Sequence, residues 1–476
     1  MSIAEKKIWF LTGSQSLYGP ETLALVADQS QEVVARLNAS ADIPTPIVWQ
    51  PVVIDADAIR RLILDANNDD NCVGIIAWMH TFSPAKLWIA GLKALAKPLL
   101  HLHTQANVEL PFGTLDQDFM NLNQAAHGDR EFGYILTRMG VRRKTVVGHT
   151  TDSQVTRKIG TWARACVGAA EMSGMKIVAF GGNMRGVADT DGDKVGMQIT
   201  FGTEVDAYGI TELVDAVTAV DAATIDRLIA EYTDCYDIVP ELLPGGARHD
   251  LLRDAAAQEA GIRRFLDDRG AAAWNNSFQD LGALRQLPGF AAQRLMKQGY
   301  GFGPEGDWKT PMLVRAAAVM GEGLPGGASL MEDYTYHLVP GREGVLGSHM
   351  LEIAETLTSS RPRLEIHPLA FTPAQEDPVR LVFDADPAEA VIVGLVDLGG
   401  KFRLVANVVD LVAPEAPIPN LHSARAYWRP RPGFYEALED WLRHGGGHHD
   451  AISTAVAAET WADLARIVDV EFTLTE

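Results

Sequence analysis

Along the first 150 residues, short continuous apolar runs alternate with longer stretches whose apolar positions recur at helical spacing. Lys7 to Leu11 (KIWFL) reads as a strand, and after Gly19-Pro20 the positions Leu23, Val26, Val33 and Leu37 mark one face of a long helix. Ile47–Ile54, Cys72–Met79, Pro98–His103 and Lys144–Val147 read as further strands, with helical stretches at Asp57–Asn67 and Ser83–Ala96 between them. This order predicts a parallel sheet covered on both faces, because parallel strands need a crossover and a helix is the usual one.

A second cycle starts at MKIVAFGG (175–182), with helices near Gly192–Phe201, Ala222–Tyr236 and His249–Arg269. From about residue 327 the pattern turns to short β runs. VRLVFD (379–384) is one, and the runs AVIVGLVDL and FRLVANVVDLV flank Gly399-Gly400 as a hairpin would. Helices return only after Phe434. The expected fold class is α/β: two doubly wound α/β domains, 1–174 and 175–326, followed by a mostly antiparallel β domain, 327–476.

A length of 476 residues suits such a division, and 47% hydrophobic with 22% charged residues is a globular composition. The net charge of −21 repels phosphate backbones and anionic bilayers, which argues against nucleic acid as a partner. No uncharged apolar run is long enough to span a membrane and the N-terminus has no secretory h-region, so a cytoplasmic protein is expected. The three cysteines, Cys72, Cys166 and Cys235, lack CxxC spacing, so any metal must rest on nitrogen and oxygen ligands.

Four segments carry candidate chemistry. GYGFGPEGDWKT (299–310) sets Glu305 among glycines, just before a helix read as capped by Thr310 with Pro311 at its first position. MEDYTYH offers Glu332, with Tyr334 on the same face of an extended strand and Asp333 on the other. GSHMLE offers His349. HGGGHHD (444–450) follows an amphipathic helix that His444 ends, with Gly445 as its stop and Asp450 as the expected start of the next helix. Each has a plain reading as well: a solvated loop acid, a core histidine, a glycine-rich loop. Together, two carboxylates and two imidazoles suit Mn²⁺, Mg²⁺ or Co²⁺, although their spacing is not a compact motif.

These segments, with GSQSLYGPET (13–22), WMHTFSPAK (78–86), LNQAAHGDREFG (122–133) and NMRGVADTDGDKV (183–195), resemble the L-arabinose isomerase family in order along almost the whole chain. The resemblance implies three domains of the fucose isomerase-like kind, assembled as a homo-hexamer. It also implies Mn²⁺, possible in kind with Co²⁺ or Mg²⁺, on Glu305, Glu332, His349 and His449. Glu305 and Glu332 become the candidate acid and base. Sugar contacts fall on Gln15, Leu17, Phe82, Gln124 and His127, which reach a neighbouring subunit's site, and on Met184, Phe278 and Tyr334. The implied reaction is L-arabinose to L-ribulose, with D-galactose to D-tagatose alongside, by enediol proton transfer or hydride shift.

Three positions depart from the family pattern. Gly182 precedes Asn183 where aspartate is common, Asn275 replaces threonine near the expected distal sugar contacts, and Asp450 replaces threonine. The chain also ends at Glu476, short of the family's last segment. Two other classes share some of these features. A sugar-binding regulator would use paired α/β domains but needs neither the ligands nor catalysis, and a metal-dependent hydrolase or aldolase would use the same ligands on another substrate.

Overall fold

The computed structural model describes residues 2–370, 372 and 374–476. The fold is mixed α/β, and the chain forms two compact units. The first holds the residues up to Ala170 and takes back Glu459–Ile467; the second holds Glu171–Ala458 and Val468–Glu476.

In the first unit, β1 (Lys7–Gly13), β2 (Ile47–Trp49), β3 (Cys72–Met79), β4 (Leu99–His103) and β5 (Lys144–Val147) form one parallel sheet in the order β2-β1-β3-β4-β5. Every residue of β3 is buried, as expected for a central strand covered on both faces. The second strand is shorter than its apolar run: pairing stops at Trp49 and resumes only as a bridge at Val53. Pro51 lies between them and has no N–H to give a ladder. Helices Gly19–Asn38, Ala56–Asn68 and Ala125–Arg138 supply crossovers, the second capped by Asp55 accepting from Ala58 N at 2.8 Å. In open parallel sheets ligands bind beyond the carboxyl ends of the strands, near the point where strand order reverses. Here that edge carries the residues after Gly13, Met79 and His103.

Helix Ala458–Val468 belongs to this unit over most of its length. The buried Lys144 ammonium donates to Glu459 at 3.0 Å and to Thr161 at 3.1 Å, and also bonds Asp463.

The second unit contains a parallel sheet of four strands, Lys176–Phe180, Glu204–Tyr208, Ala273–Asn275 and Gly301–Gly303, with the first and third of these adjacent. It also contains an antiparallel system. Strands 388–397, 449–453, 328–337, 344–348, 425–430 and 402–411 pair in that sequence, and 402–411 pairs back onto 388–397. The ring of pairings is therefore closed, which leaves no free edge along it. The expected hairpin is present, with Gly399 and Gly400 at φ 72° and 96°.

Three local expectations fail. Asp450 lies in the strand His449–Ser453, and the next helix begins only at Ala458, because pairing with Ala328–His337 claims the segment. Thr310 is not the helix cap. Its hydroxyl bonds Asp307 at 2.6 Å, and it is Asp307 that accepts from the backbone N–H of Lys309. Tyr334 falls at a register shift between Asp333 and Thr335, so simple alternation with Glu332 does not hold there.

Candidate metal centre and sugar site

The three adjacent parallel strands of the second unit release their chains at one edge, into the loops carrying Asn183-Met184, Asn276–Phe278 and Glu305. Glu305 stands in the left-handed region at φ 58° and Gly306 at 77°. Only a turn held from outside keeps a glutamate there. Met184 N donates to Glu305 O at 2.8 Å, Gly306 N donates to Asn276 O at 2.8 Å, and Asn183 Nδ2 donates to Gly306 O at 2.9 Å. A Cβ on Gly306 would lie 2.5 Å from the Asn183 Cα, so glycine is required twice, by φ and by contact. Buried Asn275 also donates to Gly306 O, at 3.4 Å. Half-buried Phe278 follows on the same loop.

The antiparallel ring delivers the other groups. Glu332 and His449 are directly opposite on neighbouring strands, and Glu332 is opposite Ser348 on its other side, one residue before His349. Directly opposed residues project from the same face of a sheet. The four expected ligands come together: Glu332 Oε2 lies 3.9 Å from His349 Nε2, Glu305 Oε2 lies 4.0 Å from His449 Nε2, and the rings of His349 and His449 are 5.5 Å apart. Tyr334 lies beyond Glu332 and is exposed.

Both nitrogens of His449 are buried without a hydrogen-bond partner, the nearest acid to Nδ1 being Asp307 at 3.5 Å. A buried imidazole unsatisfied on both sides is costly unless something else occupies the space it faces. A cation at the Nε2 side fits that need, and carboxylate and imidazole donors suit a divalent ion. His349 is held from behind, its Nδ1 2.6 Å from Glu352, which fixes the ring and leaves Nε2 facing Glu332.

Two acids and one histidine with no role expected from sequence complete the site. His448 Nε2 is 3.6 Å from Glu305, and its Nδ1 and backbone N–H both bond Asp189, at 2.7 and 3.0 Å. Glu305, His448 and His449 bring one ligand atom each within 4.8 Å of one another, a tighter group than the four expected ligands form. Glu352 had a faint signal, three residues after His349; Asp189 had none.

The charges respond accordingly. Burial alone would raise Glu305, but His448 and the other imidazoles hold it below the usual carboxylate range. Burial wins at Glu332 and raises it. Asp189 and then Glu305 push His448 up to about 10. Burial opposes charge on His349, yet Glu352 and Glu332 raise it, while burial lowers His449. Asp450 is fully buried, and burial followed by the charge of Asp333 drives its carboxyl far above the ordinary range.

The remaining sugar-contact candidates, Gln15, Leu17, Phe82, Gln124 and His127, belong to the first unit, at the carboxyl edge of its sheet. The rings of Phe82 and His127 stack at 4.7 Å. Gln124 N donates to His80 O at 3.1 Å, and Tyr18 reaches Gln124 Oε1 at 3.4 Å. Leu17 is 82% exposed.

A second His/Glu group, Glu365, His367 and His422, is arranged differently. Its rings stack at 3.6 Å with planes only 18° apart, and near-parallel stacked rings cannot both point in-plane lone pairs at one ion. Glu365 instead accepts from His367 at 2.7 Å and lies 3.4 Å from His422.

Residues 2–174, 176–323 and 327–471 match the family models for the L-arabinose isomerase N-terminal, central and C-terminal domains. An L-arabinose isomerase of Arthrobacter sp. (strain FB24) is 57% identical over 99% of this chain and 92% of its own. That of Clavibacter sepedonicus is 58% identical over 99% and 93%, and that of Geobacillus stearothermophilus 49% identical over 99% and 94%. The chain thus belongs to the L-arabinose isomerase family and is an enzyme that interconverts an aldose and a ketose.

Proposed function

We propose that this enzyme converts L-arabinose to L-ribulose with a divalent ion, Mn²⁺ in the first place and Co²⁺ or Mg²⁺ as substitutes, held by Glu305, Glu332, His349 and His449. The observation that carries the reading is the convergence of these four side chains around His449, whose ring nitrogens make no hydrogen bond among the described residues. The ion, when bound, supplies Lewis-acid polarisation of the sugar oxygens next to C1 and C2. Glu305 and Glu332 are the proton carriers: one takes the C2 proton and a proton is returned to C1, with the C2 hydroxyl proton passing to the former carbonyl oxygen. Glu352 and Asp307 orient the imidazoles. Met184, Phe278 and Tyr334 wall the sugar.

Chelation should abolish turnover, and returning Mn²⁺, Co²⁺ or Mg²⁺ singly should restore it to different extents. Full activity after verified removal of metal would end the four-ligand reading. The same assay on D-galactose tests the wider substrate range. D-Galactose adds a hydroxymethyl group to the same stereochemical pattern, and a pocket discriminates such an addition by only ~1–3 kcal/mol, so slower formation of D-tagatose is expected. A sugar-binding regulator would give no ketose at all.

The route of hydrogen has its own test. Turnover in deuterated water should place solvent label at C1 of L-ribulose if a carboxylate carries the proton. Complete retention of the C2 hydrogen would favour a hydride shift instead.

We also propose the three-domain division suggested by sequence, a cytoplasmic location and a homo-hexamer in which the first unit's edge completes a neighbouring subunit's site. Among the described residues no helix is long and apolar enough to cross a membrane. In support of the assembly, Leu17 shares its exposure with Val108 and with Phe112, which is 87% exposed on the loop following β4. Apolar side chains grouped at one edge around polar groups are a usual mark of a protein interface.

A further inference from the structure

At the carboxyl edge of the first unit's sheet, β4 ends in a histidine pair built around one acid. Asp129 is buried on helix Ala125–Arg138 and accepts from three donors: Met79 N at 3.0 Å, His101 Nε2 at 2.9 Å and His103 Nδ1 at 2.9 Å. His101 is buried with it, whereas His103, the last residue of the strand, keeps 30% of its side chain exposed. With Nδ1 donating to Asp129, the tautomer is set and Nε2 is left outward, without a hydrogen-bond partner among the described residues.

The neighbours of His103 point the same way. Gln105, two residues on, has a buried Oε1 with no partner, and Asn123, whose backbone oxygen Gln105 reaches at 3.5 Å, has an unpartnered buried Oδ1. Asn123 immediately precedes Gln124, and His127 lies two residues before Asp129 on the same helix. Of these three idle polar atoms only the imidazole belongs to a part-exposed side chain, the two amide oxygens being buried, and an unprotonated ring nitrogen at the ligand-binding edge of a parallel sheet can accept from a hydroxyl group. A role confined to closing the strand would not need Nε2 held outward by a buried carboxylate.

We propose that His103, oriented by Asp129, is a further sugar-binding residue, its Nε2 hydrogen-bonding a hydroxyl of the substrate beside Gln124 and His127. The inference rests on the proposed reaction and on the first unit's delivery of its edge to a sugar site. The burial of Asp129 serves it by keeping the imidazole from rotating, so Asp129 is a positioning residue.

The test uses the full-length metal-loaded enzyme with L-arabinose, comparing wild type, His103→Leu and His103→Gln. Loss of one hydrogen bond to a hydroxyl should raise KM roughly tenfold in His103→Leu with kcat changed much less. His103→Gln, which keeps a polar end, should recover most of that loss. His103→Leu also takes one of three donors from the buried Asp129 and should lower the melting temperature modestly, whereas His103→Gln should stay closer to wild type, so the rise in KM at a temperature where all three are folded is the deciding readout. An unchanged KM in His103→Leu overturns the inference, and so does a drop in kcat alone or a lowered melting temperature with KM intact. Failure of the wild type to form L-ribulose would be a separate result, counting against the proposed reaction itself.

Discussion

Replacing His449 with alanine should remove the bound divalent ion and lower turnover by at least about 100-fold, more than the 10–100-fold typical of losing a residue that merely supports a ligand. His449 is buried, opposite Glu332 across a strand pair, and both its nitrogens are otherwise unsatisfied. His444→Ala should leave ion content and turnover within about two-fold, as substitutions away from a site usually do. That ring ends helix Phe434–His444, and Gly445 follows at φ 83° as its left-handed stop. Metal analysis of the purified variants beside initial rates decides the matter. Equal effects of the two substitutions would return HGGGHHD to the status of a loop.

Glu305→Gln and Glu332→Gln should each lower kcat by about 10²–10⁴, the range that general acid–base groups contribute. Glutamine preserves size and one oxygen but carries no exchangeable carboxyl proton. The informative measurement is turnover at saturating Mn²⁺. If the carboxylates only hold the ion, excess metal should restore the rate; if they carry protons, the rate should stay low while the site is filled. Recovery of both variants to near wild-type turnover would leave the acid–base assignment without support.

Much of this architecture is legible from local pattern. Cys72–Met79 and Lys144–Val147 are strands over the very residues that their apolar runs suggest, and Gly399-Gly400 turns a hairpin because two successive positive φ angles need glycine. Errors arise where a partner distant in sequence decides. Asp450 looks like a helix start from its own neighbours, but strand Ala328–His337 pairs with it from more than a hundred residues away. The displacement of Tyr334 comes from register, which no single strand encodes. The proposed metal ligands come from family resemblance rather than from spacing. The support of His448 by Asp189 spans 259 positions, so nothing near either residue signals the other.

One connection matters for how the protein is made. The sheet of the first unit is finished in sequence at Val147, yet the carboxylates of Glu459 and Asp463 that meet its Lys144 ammonium come from the closing segment of the chain. During synthesis that lysine waits, unpaired with acid, while some three hundred residues are added, 315 separating it from Glu459. A sheet made early is thus completed late. A ribosome stalled before Glu459 would release a first unit lacking its final helix, so an error at the tail is felt at the head.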